Sequence, residues 1–440
     1  MMTWFKLALR NVFRQKKRSF LLAGAIAFGM LAITLLNTLT GAMGTAVKTN
    51  FSTALGGHVY IAGEVVSQRG YSNSQINQPE IVAQAIAQLS VPIREIKQRS
   101  ASRVQFINGS SSANIQVQGI ELSNEKLLFK RLRLVAGSLQ QLSQSGTVAL
   151  PVNKARDLNI KLGDKILAKA ETMSGQQNLL EWEVVALFAD QASFGRTSAY
   201  ANLATVNQML NIPTDNFQRV NLLLGNLDDM HKATEELNQA LAKLASLKPE
   251  ETDSTFGPWR RMMRGDRAYI EEPWSGTRFD ITNLDDITAN VMSMVEGLNL
   301  VAKLIFAIML VITLVGISNS YRMVLLERVA EIGNMRAMGA QASSVFRLFI
   351  YEALILALLG IAVGLIVAIA GIFAIEAITF AANRGPVRMF TVAGHLPMII
   401  SISGIAISAG LIILMAMLAA YLPARGAALL DPAEALRSAT

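Results

Sequence analysis

The chain has no cysteine and only three histidines, His58, His231 and His395, standing far apart. No disulfide framework can form, and no HExxH or comparable spacing gathers metal ligands. No GxxxxGK[ST] segment occurs, so these residues cannot cradle a nucleotide in the Walker manner, and any ATP and Mg2+ would be used by a partner. GxSxG is missing as well, and the carboxylates are too scattered to nominate an acid/base pair. The expectation is a chain without catalytic residues, bound cofactor or metal of its own. Charge is also scarce, 16% against 52% hydrophobic residues, which is too apolar for an ordinary soluble domain.

What is present are four apolar runs, at residues 20–43, 304–320, 353–375 and 396–421. Each approaches the roughly 20 residues that cross about 30 Å of hydrocarbon. Between the first two lie about 240 residues with no such run, room for one sizeable or two small water-soluble domains. The formal charge of +8 is unevenly placed, because residues 44–290 hold 25 basic and 25 acidic side chains. The excess sits at the membrane edges: Lys6, Arg10, Arg14, Lys16, Lys17 and Arg18 precede the first run without one acid. The positive-inside rule then puts the N-terminus in the cytoplasm, the large middle domain outside, and the C-terminus back inside. Arg384 and Arg388, left outside by this topology, are a weaker opposing signal. A secretion signal is the alternative reading of the N-terminus, but its apolar run exceeds the usual length of about 7–15 residues. The basic pI is read as affinity for anionic lipid, not for nucleic acid.

At helical spacing, Trp4, Phe5, Ala8, Leu9, Val12 and Phe13 fall opposite Lys6, Arg10 and Arg14. This predicts an interfacial helix, with a merely basic flank as the alternative. Ahead of the second run, Ile287, Val291, Met294, Leu298, Val301 and Ile305 step by 4,3,4,3,4, the spacing of a coiled-coil seam. Such a helix would stand about 25 Å proud of the membrane as a stalk; an amphipathic helix packed on the outer domain gives the same pattern. Glu352 and Glu376 bracket the third run about 36 Å apart, so both can reach an interface. Gly360 and Gly364 form a GxxxG pair, which permits close helix packing and also arises by chance in so Gly/Ala-rich a span.

The middle domain reads as mixed α/β. Strands at 103–109 and 113–120 alternate around the turn residues Asn108-Gly109-Ser110-Ser111, a hairpin signal. Further strands are expected at 165–168 and 181–188, and helices at 206–210 and 230–245. Residues 250–283 break the pattern with Pro258-Trp259-Arg260 and Pro273-Trp274. Trp259, Arg260 and Trp274 are candidates for recognition of substrate or partner, with a plain surface insertion as the alternative.

Residues 325–340, LLERVAEIGNMRAMGA, place four charges and two glycines between the second and third runs. Ile332, Met335 and Gly339 share one arc, able to lie on a membrane or to fit a groove on another protein. With Glu327-Arg328-Val-Ala-Glu331-Ile332-Gly333, Arg336-Ala-Met-Gly339-Ala340 and Phe349-Ile-Tyr-Glu352-Ala353, the chain resembles the FtsX-like permease family of ABC transporters. The similar branch contains the MacB exporter and the lipoprotein-releasing permeases LolC and LolE. Ala8-Leu-Arg10-Asn11, Leu162-Gly163-Asp164, Leu422-Pro423-Ala-Arg425 and residues 431–437 are further points of similarity.

The resemblance implies an α-helical membrane protein of four transmembrane helices with a large mixed α/β, MacB-like periplasmic domain. The implied order is a cytoplasmic interfacial helix at 1–19, transmembrane helix 1 with its stalk extension at 20–47, the extracytoplasmic domain at 48–284, and stalk plus helix 2 at 285–322. A coupling-helix region at 323–346, helix 3 at 347–380, an external loop at 381–395, helix 4 at 396–422 and a cytoplasmic tail at 423–440 complete it. By resemblance, Glu327, Arg328, Glu331, Ile332, Gly333, Arg336 and Gly339 couple to a pair of ABC ATPase subunits. Ile287, Val291, Met294, Leu298 and Val301 form the stalk seam. A second permease copy or a homologous permease, a periplasmic carrier or adaptor, and membrane lipid are the other implied partners. The implied function is mechanotransmission in an inner membrane, with release of lipoproteins to a periplasmic carrier as the leading reading. MacB-type efflux, or FtsX-type regulation of cell-wall hydrolases, are the alternatives. The absence of a fused ATPase favours the first, while the Trp/Arg-rich insertion matches no family motif.

Overall fold

The structure is a computed structural model that describes residues 2–14, 16–67, 70–189, 198–247, 274–379, 389–392 and 394–429. Two compact units emerge, one from residues 1–45, 293–381 and 394–440, the other from residues 46–292 and 382–393.

The first unit is helical. Its elements are α1 (Met2–Arg14), most of α2 (Lys16–Leu55), most of α8 (Leu284–Ala337), α9 (Ala342–Glu376) and α10 (Ile402–Ala428). Four of these, α2, α8, α9 and α10, are long and apolar enough to cross a membrane. Their common core holds Ile26, Met30, Phe306, Tyr321, Phe349 and Ala416. The Tyr321 and Phe349 rings meet edge-on at 6.3 Å. The glycines of the GxxxG pair serve packing within the chain: a Cβ on Gly364 would stand 2.5 Å from the Ala27 carbonyl of α2, and one on Gly360 2.8 Å from that of Ala23. On α1, Ala8 and Val12 are buried against Leu348, Ile355 and Leu356 of α9, while Leu9 and Phe13 stay exposed. The side chains of Trp4, Phe5 and Lys6 fall outside the described residues.

Helix bounds differ from the sequence reading in two places. The fourth apolar run turns helical only at Ile402, because Pro397 disfavours helical geometry before it and Ser401 caps the start, its Oγ accepting the Gly404 N–H at 3.1 Å. The helix then continues through Pro423 to Ala428. Residues 325–337 form no separate short helix; they are the last turns of the 54-residue α8.

The second unit is built on one mixed sheet with strands in the order β11 (Ser246–Leu247), β12 (Arg278–Asn283), β1 (Val59–Val66), β10 (Arg219–Leu224), β3 (Ile93–Asn108), β4 (Ser111–Ile120), β9 (Ser198–Asn202), β6 (Thr147–Pro151), β8 (Gln177–Phe188) and β5 (Leu134–Gly137), with β2 (Ser72–Ser74) on β1 and β7 (Lys165–Glu171) on β3 and β8. The expected hairpin is β3 (Ile93–Asn108) with β4 (Ser111–Ile120), closing at the Asn108–Ser111 pair. Their alternation puts Val104, Phe106, Ile115 and Val117 in the core, where Phe106 meets Trp182 of β8 (Gln177–Phe188) edge-on at 5.8 Å. Helices α6 (Leu203–Leu210) and α7 (Met230–Leu244) occupy the two expected helical stretches. Near the other end of the sheet, β1 (Val59–Val66) lies between β10 (Arg219–Leu224) and β12 (Arg278–Asn283).

Candidate functional site

The segment between the second and third apolar helices ends α8 with three backbone bonds: Met338 N–H to Asn334 O, Gly339 N–H to Arg336 O and Ala340 N–H to Met335 O, each 3.0 Å. The last two are the paired bonds of a Schellman ending, which needs a left-handed residue after the cap. Gly339 supplies it at φ +96°, with nothing within 4 Å of where a Cβ would sit. Its requirement is therefore conformational, not one of space. α9 follows directly after Gln341.

Beneath this turn lies a polar network. Arg328, 8% exposed, donates from Nη1 to Glu352 Oε1 at 3.3 Å, and Asn11 Nδ2 of α1 donates to the same oxygen at 2.7 Å. Glu352 itself is 6% exposed. Buried charges persist only when paired and hydrogen-bonded, and these two satisfy each other across α8 and α9. Glu331 lies 3.7 Å from both buried Arg328 and exposed Arg14, and the exposed pair with Arg14 contributes little. Arg336 donates to the Ala428 carbonyl at the last turn of α10, satisfying one of that helix's free acceptors.

This geometry divides the coupling candidates. Arg328, Ile332 and Gly333 are buried and Arg336 is half-buried. Glu327, Glu331 and Gly339 are exposed. The arc of Ile332 and Met335 thus faces the helix core instead of a partner, because the apolar side of a helix end is consumed by its own bundle. The outward stripe is Glu327, Glu331, Asn334 and Met338, spaced 4,3,4. Met338 is 81% exposed and went unnoticed in the sequence, where it reads as one apolar residue among many. Asn11 was also passed over; only its place in the Ala8-Leu-Arg10-Asn11 motif could have marked it.

The seam candidates divide as well. Ile287 is buried and Val291 half-buried, whereas Met294, Leu298 and Val301 are 58%, 41% and 52% exposed. Trp259 and Arg260 lie outside the described residues. Trp274 is engaged internally: its ring stacks on the Arg278 guanidinium at 4.7 Å and its Nε1 donates to the Glu64 carbonyl at 3.3 Å. Those contacts brace the start of β12 against β1 and leave Trp274 half-buried. Among the described residues no group of three His, Asp or Glu could hold a metal ion.

Residues 303–432 match the model of the FtsX-like permease C-terminal region, and residues 19–240 match that of the MacB-like periplasmic core domain. The chain belongs to the MacB-type, FtsX-like permeases. This FtsX-like permease is 28% identical over 219 residues to the macrolide export ATP-binding/permease protein MacB of Bordetella avium, covering 49% of this chain and 31% of that protein. It is 32% identical over 170 residues to an uncharacterized ABC transporter permease of Methanocaldococcus jannaschii, covering 38% of this chain and 40% of that one. A probable syringafactin export ATP-binding/permease protein of Pseudomonas syringae pv. tomato is 31% identical over 164 residues, covering 37% of this chain and 22% of that protein. The chain thus spans less than half the length of these relatives. Among solved structures, the periplasmic region of MacB from Actinobacillus actinomycetemcomitans is 15% identical and covers 53% of this chain and 92% of its own, with a TM-score of 0.31. Family membership rests on the sequence models.

Proposed function

We propose that this FtsX-like permease is the membrane subunit of an ABC transporter, and that Glu327, Glu331, Asn334 and Met338 form the surface on which its ATPase docks. One observation carries this reading: a single unbroken helix, α8, begins directly after strand β12 and ends at that exposed stripe. A helix of 54 residues is about 80 Å long. Rigid helices transmit displacement along their axis, so a push from a partner at Met338 would reach β12 without any substrate path through the membrane. The stripe suits docking, with two carboxylates to select a basic groove and a flexible methionine to fill an apolar gap. Met294, Leu298 and Val301, exposed at seam spacing, suit packing against a second permease copy.

For cargo, the leading reading remains lipoprotein release from an inner membrane to a periplasmic carrier, with the chain oriented N- and C-termini inward. The second reading, export of a small molecule through an adaptor, is favoured by relatives described as macrolide and syringafactin exporters. Depletion distinguishes them. Lipoproteins retained in the inner membrane support release; normal lipoprotein sorting with heightened drug sensitivity removes it in favour of export.

A further inference from the structure

Helix α2 ends at Leu55 and β1 begins at Val59, so Gly56, Gly57 and His58 alone connect them. Two adjacent glycines between a helix and a strand read as a hinge. The structure packs them instead. Gly56 sits at φ +81° directly beneath Arg99 of β3, and any Cβ there would overlap the guanidinium. A Cβ on Gly57 would stand 2.9 Å from the Leu222 carbonyl of β10. The buried Tyr60 hydroxyl donates to the Gly57 carbonyl at 2.5 Å.

In the last turn of α2 the Gly56 and Gly57 N–H groups take the Ser52 carbonyl, and the final two carbonyls are each taken by a side chain. Arg99 Nη1 donates to Ala54 O at 2.9 Å, and Asn221 Nδ2 of β10 donates to Leu55 O at 2.5 Å. Arg99 is 4% exposed and is itself held: Nε and Nη2 reach Glu125 Oε1 at 2.8 and 2.5 Å, while Lys97 Nζ lies 3.4 Å from Glu125 Oε2. A guanidinium at the negative end of a helix, with two further N–H groups spent on one buried carboxylate, is held in one orientation. Nearby, Leu284 N–H donates to His58 O at 2.8 Å, and Asn283 and Asp286 cap the start of α8 reciprocally at 2.9 and 3.0 Å. Asp285 binds Lys48 of α2 at 2.8 Å and His231 of α7 at 3.1 Å. The α2 end is therefore fastened to β3 and β10, and the α8 start is fastened to the same connection through His58 and to α2 itself through Lys48.

We propose that Arg99, with Asn221, is a positioning residue that turns the Gly56-Gly57 connection into a rigid joint, so that the end of α2 and the sheet move as one body. Its value to transport rests on the mechanotransmission reading; the joint itself does not. The chain has no native cysteine, so Thr53→Cys on α2 and Asn114→Cys on β4 give a single spin-label pair in the full chain in lipid nanodiscs. The expected result is one narrow distance distribution. Arg99→Met with Glu125→Met removes both charges while Lys97 keeps its pair with Glu95 at 3.1 Å, and should broaden that distribution into several distances. Arg99→Lys keeps the charge but loses the fork, should broaden it too, and serves if the double variant does not accumulate. A narrow, unshifted distribution in these variants overturns the joint. With the partner ATPase present, the broadened variant should hydrolyse ATP and move no cargo. A broadened distribution with full cargo movement would leave the joint standing and contradict mechanotransmission instead.

Discussion

Two helices of this permease end on a left-handed glycine, and the surroundings of those glycines differ completely. Gly339 closes α8 at φ +96° in open space, whereas Gly56 closes α2 at φ +81° under a buried guanidinium. The local device is the same; what differs is who satisfies the helix end. At α8 the backbone does so through the Schellman bonds, and the outer face stays exposed. At α2 the backbone takes only the Ser52 carbonyl, and the side chains Arg99 and Asn221 hold the last two, Ala54 and Leu55. A glycine-terminated helix can thus be a docking tip or a weld, according to what tertiary structure places against its last carbonyls.

The contrast can be broken at several strengths. Arg99→Ala should have the largest effect, because it strips the cap from α2 and leaves buried Glu125 with Lys97 alone. A loss of about 3–5 kcal/mol is expected, read as a fall in the thermal midpoint of the purified protein. Glu352→Ala comes next: it orphans Arg328 and Asn11 but removes one 3.3 Å and one 2.7 Å bond, so about 2–3 kcal/mol is expected by the same measurement. Gly339→Ala should cost about 1 kcal/mol from its left-handed backbone, and Gly339→Asn less. Gly56→Ala, carrying the same backbone penalty plus the overlap with Arg99, should cost more than Gly339→Ala; equal losses would erase the distinction between the two ends.

The smallest effect is one of pH. Burial, aided by Lys97, pushes the His58 pKa below its ordinary value, and its Nδ1 accepts the Leu224 N–H at 3.3 Å, which requires the unprotonated ring. The folded state thus binds the proton more weakly than the unfolded chain. Stability should be full above the ordinary histidine value of about 6.5 and decline as pH falls below it toward the lowered folded-state value. Thermal midpoints measured down the pH scale should show this decline, and His58→Gln should flatten it.

The apolar runs and the β3–β4 hairpin were legible because each is a local pattern, one of length and one of alternation. The face assignment at residues 327–339 was not. Periodicity divides that helix end into two sides, but which side is buried depends on Glu352 and Asn11, which come from other parts of the chain. The packing of Gly56-Gly57 is invisible in the sequence for the same reason, since Arg99, Asn221 and Glu125 arrive from distant strands and loops. The contacts of Trp274 with Arg278 and the Glu64 carbonyl were likewise not legible, because β1 lies far from it in the chain.

Docking of the ATPase on the exposed stripe is tested most directly by copurification of the partner ATPase with Met338→Glu and Glu331→Lys chains, compared with Ile332→Val. Met338→Glu, at an exposed position without an ion pair, should shift stability by no more than about 0.5 kcal/mol, and Glu331→Lys, which sets a like charge beside Arg14 and Arg328, by about 1 kcal/mol, while the ATPase is lost with both. Ile332→Val, at a buried position, should retain it. An ATPase that copurifies undiminished with both stripe variants, each folded and inserted, would contradict the docking surface.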